Sequence, residues 1–153
     1  MKAYVLLPLL FVSLLVTACE EGPEHEDDAV LIEYPEEGVQ DLPFSDAVRV
    51  GNILYLSGSV GVLPGTLVMV EGGIQAETRQ VMENIRTTLE KYGSSMDEVV
   101  KCTVMMADIS EWSALNEIYV TYFPGHKPAR SALGANGLAL GARVEIECMA
   151  TVQ

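Results

Sequence analysis

The sequence predicts an α+β domain from about residue 42 to the C-terminus, with helices packed as a layer on a sheet. Three observations carry this. Two stretches repeat their apolar residues at helical spacing, one through Val81, Ile85, Leu89 and Tyr92, the other through Trp112, Leu115, Tyr119 and Tyr122. The stretches around them alternate with the period of a strand, as in 99–107. The last strand-like segment, 142–152, has one wholly apolar face of Val144, Ile146, Cys148, Ala150 and Val152. Each such face needs a partner, and helix stripe on sheet face satisfies both.

The elements follow in chain order. Met1-Lys2 precedes an apolar run, Tyr4 to Val16, broken only by Pro8 and Ser13. The run is short for a permanent membrane span and fits the core of a signal peptide over residues 1–18. It ends in Val16-Thr17-Ala18-Cys19, which resembles a bacterial lipobox. That resemblance implies cleavage before Cys19 and lipid attachment to it; an ordinary signal peptide with a chance cysteine is the alternative. Glu20, in place of Asp after the cysteine, favours outer-membrane sorting where a cell has two membranes. Residues 19–41 hold ten of the chain's 22 acids and read as a self-repelling, solvated tether, with Val30-Leu31-Ile32 as a short edge strand.

Within the domain, Ala47–Val50 and Ile53–Leu56 read as two strands joined by a turn at Gly51-Asn52. Residues 61–73 are a loop with a short strand at Leu67–Val70. A helix is expected over Ile74–Tyr92, with Glu77, Glu83 and Arg86 off its apolar face and Gly93 closing it. Val99–Ala107 follows as a strand, with Val100, Cys102, Val104 and Met106 pointing one way. A second helix begins near Ser110 as N-cap and stops at Pro124-Gly125. An extended segment from Pro128 to Leu133 precedes the final strand. The second face of that strand, Arg143, Glu145, Glu147, Met149 and Thr151, fits either solvent exposure or a subunit interface with a polar pocket.

Composition excludes several functions. The net charge is −13, with nine Lys and Arg against 22 acids, so neither a nucleic-acid groove nor an anionic lipid surface has the cationic face it requires. Cys19, Cys102 and Cys148 lack metal-ligand spacing, and His25 and His126 are the only histidines. Cys102 and Cys148 fall on inward strand faces, where they read as small buried hydrophobes; a disulfide is the alternative outside the cytoplasm. No P-loop, GxGxxG, GxSxG or HExxH is present.

Four segments are more specific. Phe44-Ser45-Asp46-Ala47-Val48-Arg49-Val50-Gly51-Asn52 with Leu54-Tyr55-Leu56-Ser57-Gly58, Gln75 to Ile85, Pro128-Ala129-Arg130-Ser131, and Val144-Glu145-Ile146-Glu147 together resemble the RidA/YjgF family of reactive-intermediate deaminases. The resemblance spans roughly Pro43 to Val152. It implies a chorismate-mutase-like α+β fold, one sheet backed by two helices, assembled as a homotrimer with sites in the clefts between subunits. It also implies hydrolysis of 2-imino acids to 2-keto acids and ammonia, with no cofactor and no metal. By the same resemblance Arg130 grips the substrate carboxylate, as a guanidinium can with a planar fork of donors. Glu145 positions or deprotonates the attacking water. Phe44, Ser57, Gly58, Asn116, Ser131 and Ala132 line the site. Two departures touch the pocket wall: the family often carries Tyr at the place of Phe44, and many deaminases carry Cys at the place of Ala132. The loop Pro124–Lys127 is also short. Retention of a carboxylated metabolite without turnover is the competing function; ribonuclease activity, sometimes attributed to the family, conflicts with the acidic charge.

Overall fold

In the computed structural model, residues 30–32 and 42–152 are described; the proposed signal peptide, Cys19 and most of the acidic tether lie outside them. The strands are β1 (Val30–Ile32), β2 (Ala47–Val50), β3 (Ile53–Leu56), β4 (Ser59–Val60), β5 (Val99–Met106), β6 (Ala129–Gly134) and β7 (Val144–Thr151), and the helices α1 (Gly73–Lys91) and α2 (Trp112–Tyr119). They form one mixed sheet in the order β1-β2-β3-β7-β5-β6, with β4 also paired to β7. Only β5 and β6 run parallel. The expected edge strand at 30–32 is present as β1, antiparallel to β2.

Both helices cover the same face of the sheet. Val81, Met82, Ile85 and Leu89 from α1 and Leu115 from α2 close on Leu54, Val104, Val144 and Ile146, all essentially inaccessible. The apolar face predicted for β7 is this buried floor. α1 stops where Gly93 takes φ 78°, letting Ser94 N–H reach back to the Leu89 carbonyl at 2.8 Å.

Five expectations are corrected. Leu67–Val70 forms no strand; a lone bridge joins Val62 to Met69, and β4 forms at Ser59–Val60. A bulge between Val99 and Lys101 reverses the parity at the start of β5, so Val99 is buried and Val100 is 44% exposed. The cap before α2 is Asp108, which accepts from Ser110 N–H at 2.9 Å over a short 3-10 turn. Glu77 lies inward, 7% exposed, because its carboxylate accepts the Arg143 backbone N–H at 2.7 Å. Cys102 and Cys148 are joined as a disulfide. The β5–β7 register places them directly opposite, with Cα atoms 4.1 Å apart, and strand register is what the sequence does not display.

Candidate active site

Arg130 is the second residue of β6, a strand at the edge of the sheet. Register pairs it with the buried Cys102, so its side chain rises on the helix-covered face. There the guanidinium carbon lies 4.7 Å from the Tyr119 ring centre and 5.7 Å from that of Trp112. Among the described residues no carboxylate pairs with it; the ion pairs join Arg86, Lys91 and Arg143 to Glu83, Glu90, Asp46 and Glu111. It borders a pocket of about 520 Å³ with Asn116, Tyr119, Phe123, Lys127 and Pro128. With no ion pair or hydrogen bond to it among the described residues, a guanidinium beside a pocket has the chemistry to receive a carboxylate.

Glu145 belongs to the opposite face, since β7 buries Val144 and Ile146 on either side of it. It meets Gly58, whose α-carbon leaves so little room that a Cβ built there would lie 2.1 Å from Glu145 Oε1. Glycine at 58 therefore lets the carboxylate lie against the backbone at the start of β4. Two buried or half-buried polar side chains of α1 brace this corner. Glu77 holds the Arg143 N–H at the entry to β7, and the Asn84 amide donates to the carbonyls of Val60 and Val62 at 3.2 and 3.0 Å.

The remaining predicted residues divide between the two faces. Asn116 joins Arg130 in the pocket. Ala132 shares Arg130's side of β6 by parity and is exposed. Ser131 takes the other side and accepts from Lys101 Nζ at 2.8 Å. The Ser57 hydroxyl donates to the Ser45 carbonyl at 2.6 Å, tying the Gly58 segment to the approach of β2. Phe44, 48% exposed, sits on that approach. Tyr119 and Trp112 were visible in the sequence only as an apolar helical stripe. Glu77 and Asn84 were hidden because their roles depend on which loops come to rest on α1.

Burial pushes the Tyr119 phenol up to about 12, against the opposing pull of Arg130. It is therefore neutral at ordinary pH and does not itself offset the Arg130 charge. Among the described residues no cluster of three or more His, Cys, Asp or Glu forms, so no donor set for a metal is assembled there.

A mixed sheet with two helices on one face, an arginine beside a pocket at its edge and a glutamate on its open side define an α+β domain with a candidate small-molecule site. Comparison places it more narrowly: residues 39–152 match the family described as Endoribonuclease L-PSP, and the chain belongs to this RidA/YjgF family. It is 43% identical over 108 residues to the Mus musculus protein named 2-iminobutanoate/2-iminopropanoate deaminase, spanning 71% of this chain and 80% of that one. It is 40% identical over 110 residues to the Arabidopsis thaliana protein named Reactive Intermediate Deaminase A, chloroplastic, spanning 72% of this chain and 59% of that one. The structure of E. coli TdcF with bound serine superposes with a TM-score of 0.72 at 25% identity, covering 81% of this chain and 99% of TdcF.

Proposed function

We propose that the chain is a Rid-type deaminase that hydrolyses 2-imino acids, or their enamino tautomers, to 2-keto acids and ammonia. The observation that carries this is Arg130, a guanidinium beside a pocket that no carboxylate pairs with among the described residues. The names of the mouse and Arabidopsis relatives, and the serine bound to TdcF, support a small carboxylated nitrogen compound as the ligand.

Arg130 would fork onto the substrate carboxylate and so fix the imine carbon in space. Glu145 would accept a proton from water as the oxygen adds to that carbon. Glu145 returns that proton to nitrogen, giving the carbinolamine; it then takes the hydroxyl proton and passes it to nitrogen as the C–N bond breaks, so nitrogen leaves as ammonia and the oxygen becomes the carbonyl of the 2-keto acid. Imines hydrolyse unaided in water, so orientation with one general base is a sufficient contribution.

Arg130 and Glu145 occupy opposite faces of one sheet, so one chain cannot bring both to a single small molecule. This supports a site shared between copies, and we propose a homotrimer. All of β6 except Arg130 is exposed in the single chain, Leu133 by 46%, and Tyr55 on the open face by 41%. A neighbour covering these surfaces would carry its own Glu145 toward Arg130. Light scattering should give three times the chain mass. The export signal and lipid on Cys19 complete the proposal, with the membrane touched only through the lipid; incorporation of labelled fatty acid, abolished in Cys19→Ala, tests it.

The deciding assay generates 2-iminopropanoate in place with an amino-acid oxidase and follows ammonia or keto acid. Acceleration by wild type, lost in Arg130→Ala, establishes reaction and clamp together. Ligand-induced thermal stabilisation requiring Arg130, with no acceleration, would instead select the non-catalytic carboxylate-binding module.

A further inference from the structure

We propose that Tyr119 and Trp112 form an aromatic seat that positions the Arg130 guanidinium, Tyr119 as its buried floor and Trp112 as its exposed rim. This deepens the reading of Arg130 as the carboxylate clamp and rests on it. An arginine at an edge strand has a long, freely rotating side chain, and something must hold its fork in place before a ligand arrives. Proteins usually do this with a carboxylate, but a carboxylate would consume the donors and neutralise the charge that the ligand needs. Here the guanidinium carbon lies over two rings, at 4.7 and 5.7 Å, both within the range of cation–π attraction. A ring face attracts the cation without occupying an N–H, so the donors at the guanidinium edge stay available to a carboxylate.

The Tyr119 hydroxyl strengthens the case. It is buried, in a residue only 7% exposed, and has no hydrogen-bond partner among the described residues, so no bond there explains a polar aromatic at this place. Its ring is what the site uses. Phe123, just past the 3-10 turn that follows α2, packs on the ring at 5.0 Å between centroids. Trp112, 44% exposed, stands two turns before Tyr119 on the same face of α2, so both rings can meet one guanidinium.

The test uses the full-length chain in detergent micelles and the variants Tyr119→Phe, Tyr119→Leu and Trp112→Leu. A ring above a guanidinium shifts its Nε–H resonance upfield, and Arg130→Lys identifies the Arg130 signal by its loss. The shift should persist in Tyr119→Phe and collapse toward the random-coil position in Tyr119→Leu. With 2-iminopropanoate, Tyr119→Leu should raise KM about 2- to 30-fold, the span of a partly to fully desolvated cation–π contact, with kcat nearly unchanged. Trp112→Leu should raise KM less, and Tyr119→Phe should stay within about twofold of wild type because the hydroxyl has no partner. A Tyr119→Leu protein that keeps its Arg130 shift and KM while its Tm falls would make Tyr119 a packing residue and overturn the seat. So would Tyr119→Phe matching the Leu variant, which would assign the effect to the hydroxyl. If wild type turns over no imine, the deaminase reading fails by itself, and the Arg130 resonance still decides the seat.

Discussion

At the scale of single residues, the site depends on side chains whose surroundings set what they can do. Gly58 is the sharpest case. The atom that a new Cβ would strike is the tip of Glu145, a flexible side chain that can swing aside at little cost to the fold. Gly58→Ala should therefore keep its Tm within a few degrees yet lose on the order of 10²-fold in kcat, the penalty expected for a catalytic group displaced by about 1 Å. Comparing melting curves with turnover separates the two effects. Tyrosine titration gives a second expectation. Burial raises Tyr119 and Tyr122 from an ordinary 10.0 to about 12, with the Glu83 carboxylate adding to the rise at Tyr122. A folded-state pKa above the unfolded one means that the stability gained is whole below pH 10, then declines as the unfolded chain ionises first and is lost by about pH 12. Thermal melts from pH 9 to 12 should show this fall, and Tyr119→Phe with Tyr122→Phe should flatten it.

At the scale of elements, α1 is more than a cover for the sheet. Its Asn84 amide holds the carbonyls on both sides of Gly61, and its Gln80 side chain donates to Asn84 Oδ1 at 2.9 Å, fixing the amide's orientation. Asn84→Leu leaves those carbonyls without their donor in a half-buried place. It should cost about 1–3 kcal/mol in denaturant unfolding and slacken the β4 corner that faces Glu145. The helices and β5 and β7 were legible in the sequence from the period of their apolar residues, and β2 and β3 from the Gly51-Asn52 turn between two apolar runs. The inward Glu77 and the bulge at Val99 were not, because period records the average direction of a face and both are local exceptions made by tertiary contacts. The same limit applied to the site. Motif resemblance made Arg130, Glu145 and Gly58 candidates, but no pattern along the chain says that Arg130 and Glu145 point through opposite faces of the sheet.

At the scale of the whole molecule, the Cys102–Cys148 bond staples the two longest strands, β5 and β7, across 46 residues of chain that include all of α2 and β6. Closing so long a loop narrows the unfolded ensemble, and Cys102→Ala with Cys148→Ala should cost about 2–4 kcal/mol, read as a lower midpoint in guanidinium. An acidic protein of net charge −13 also repels its own copies, so assembly has to come from close-fitting apolar surface rather than long-range attraction, and added salt should favour it. The opposed faces of Arg130 and Glu145 have one further consequence. If each pocket borrows its arginine from one copy and its glutamate from the next, neither residue is private to a chain, and two dead proteins can repair each other. Arg130→Ala and Glu145→Gln chains made together in equal amounts would mix at random, and about one pocket in four would inherit both native side chains. Catalysis would return to roughly a quarter of the wild-type level from parents that have none, whereas a pocket contained within a single chain would stay silent in every mixture.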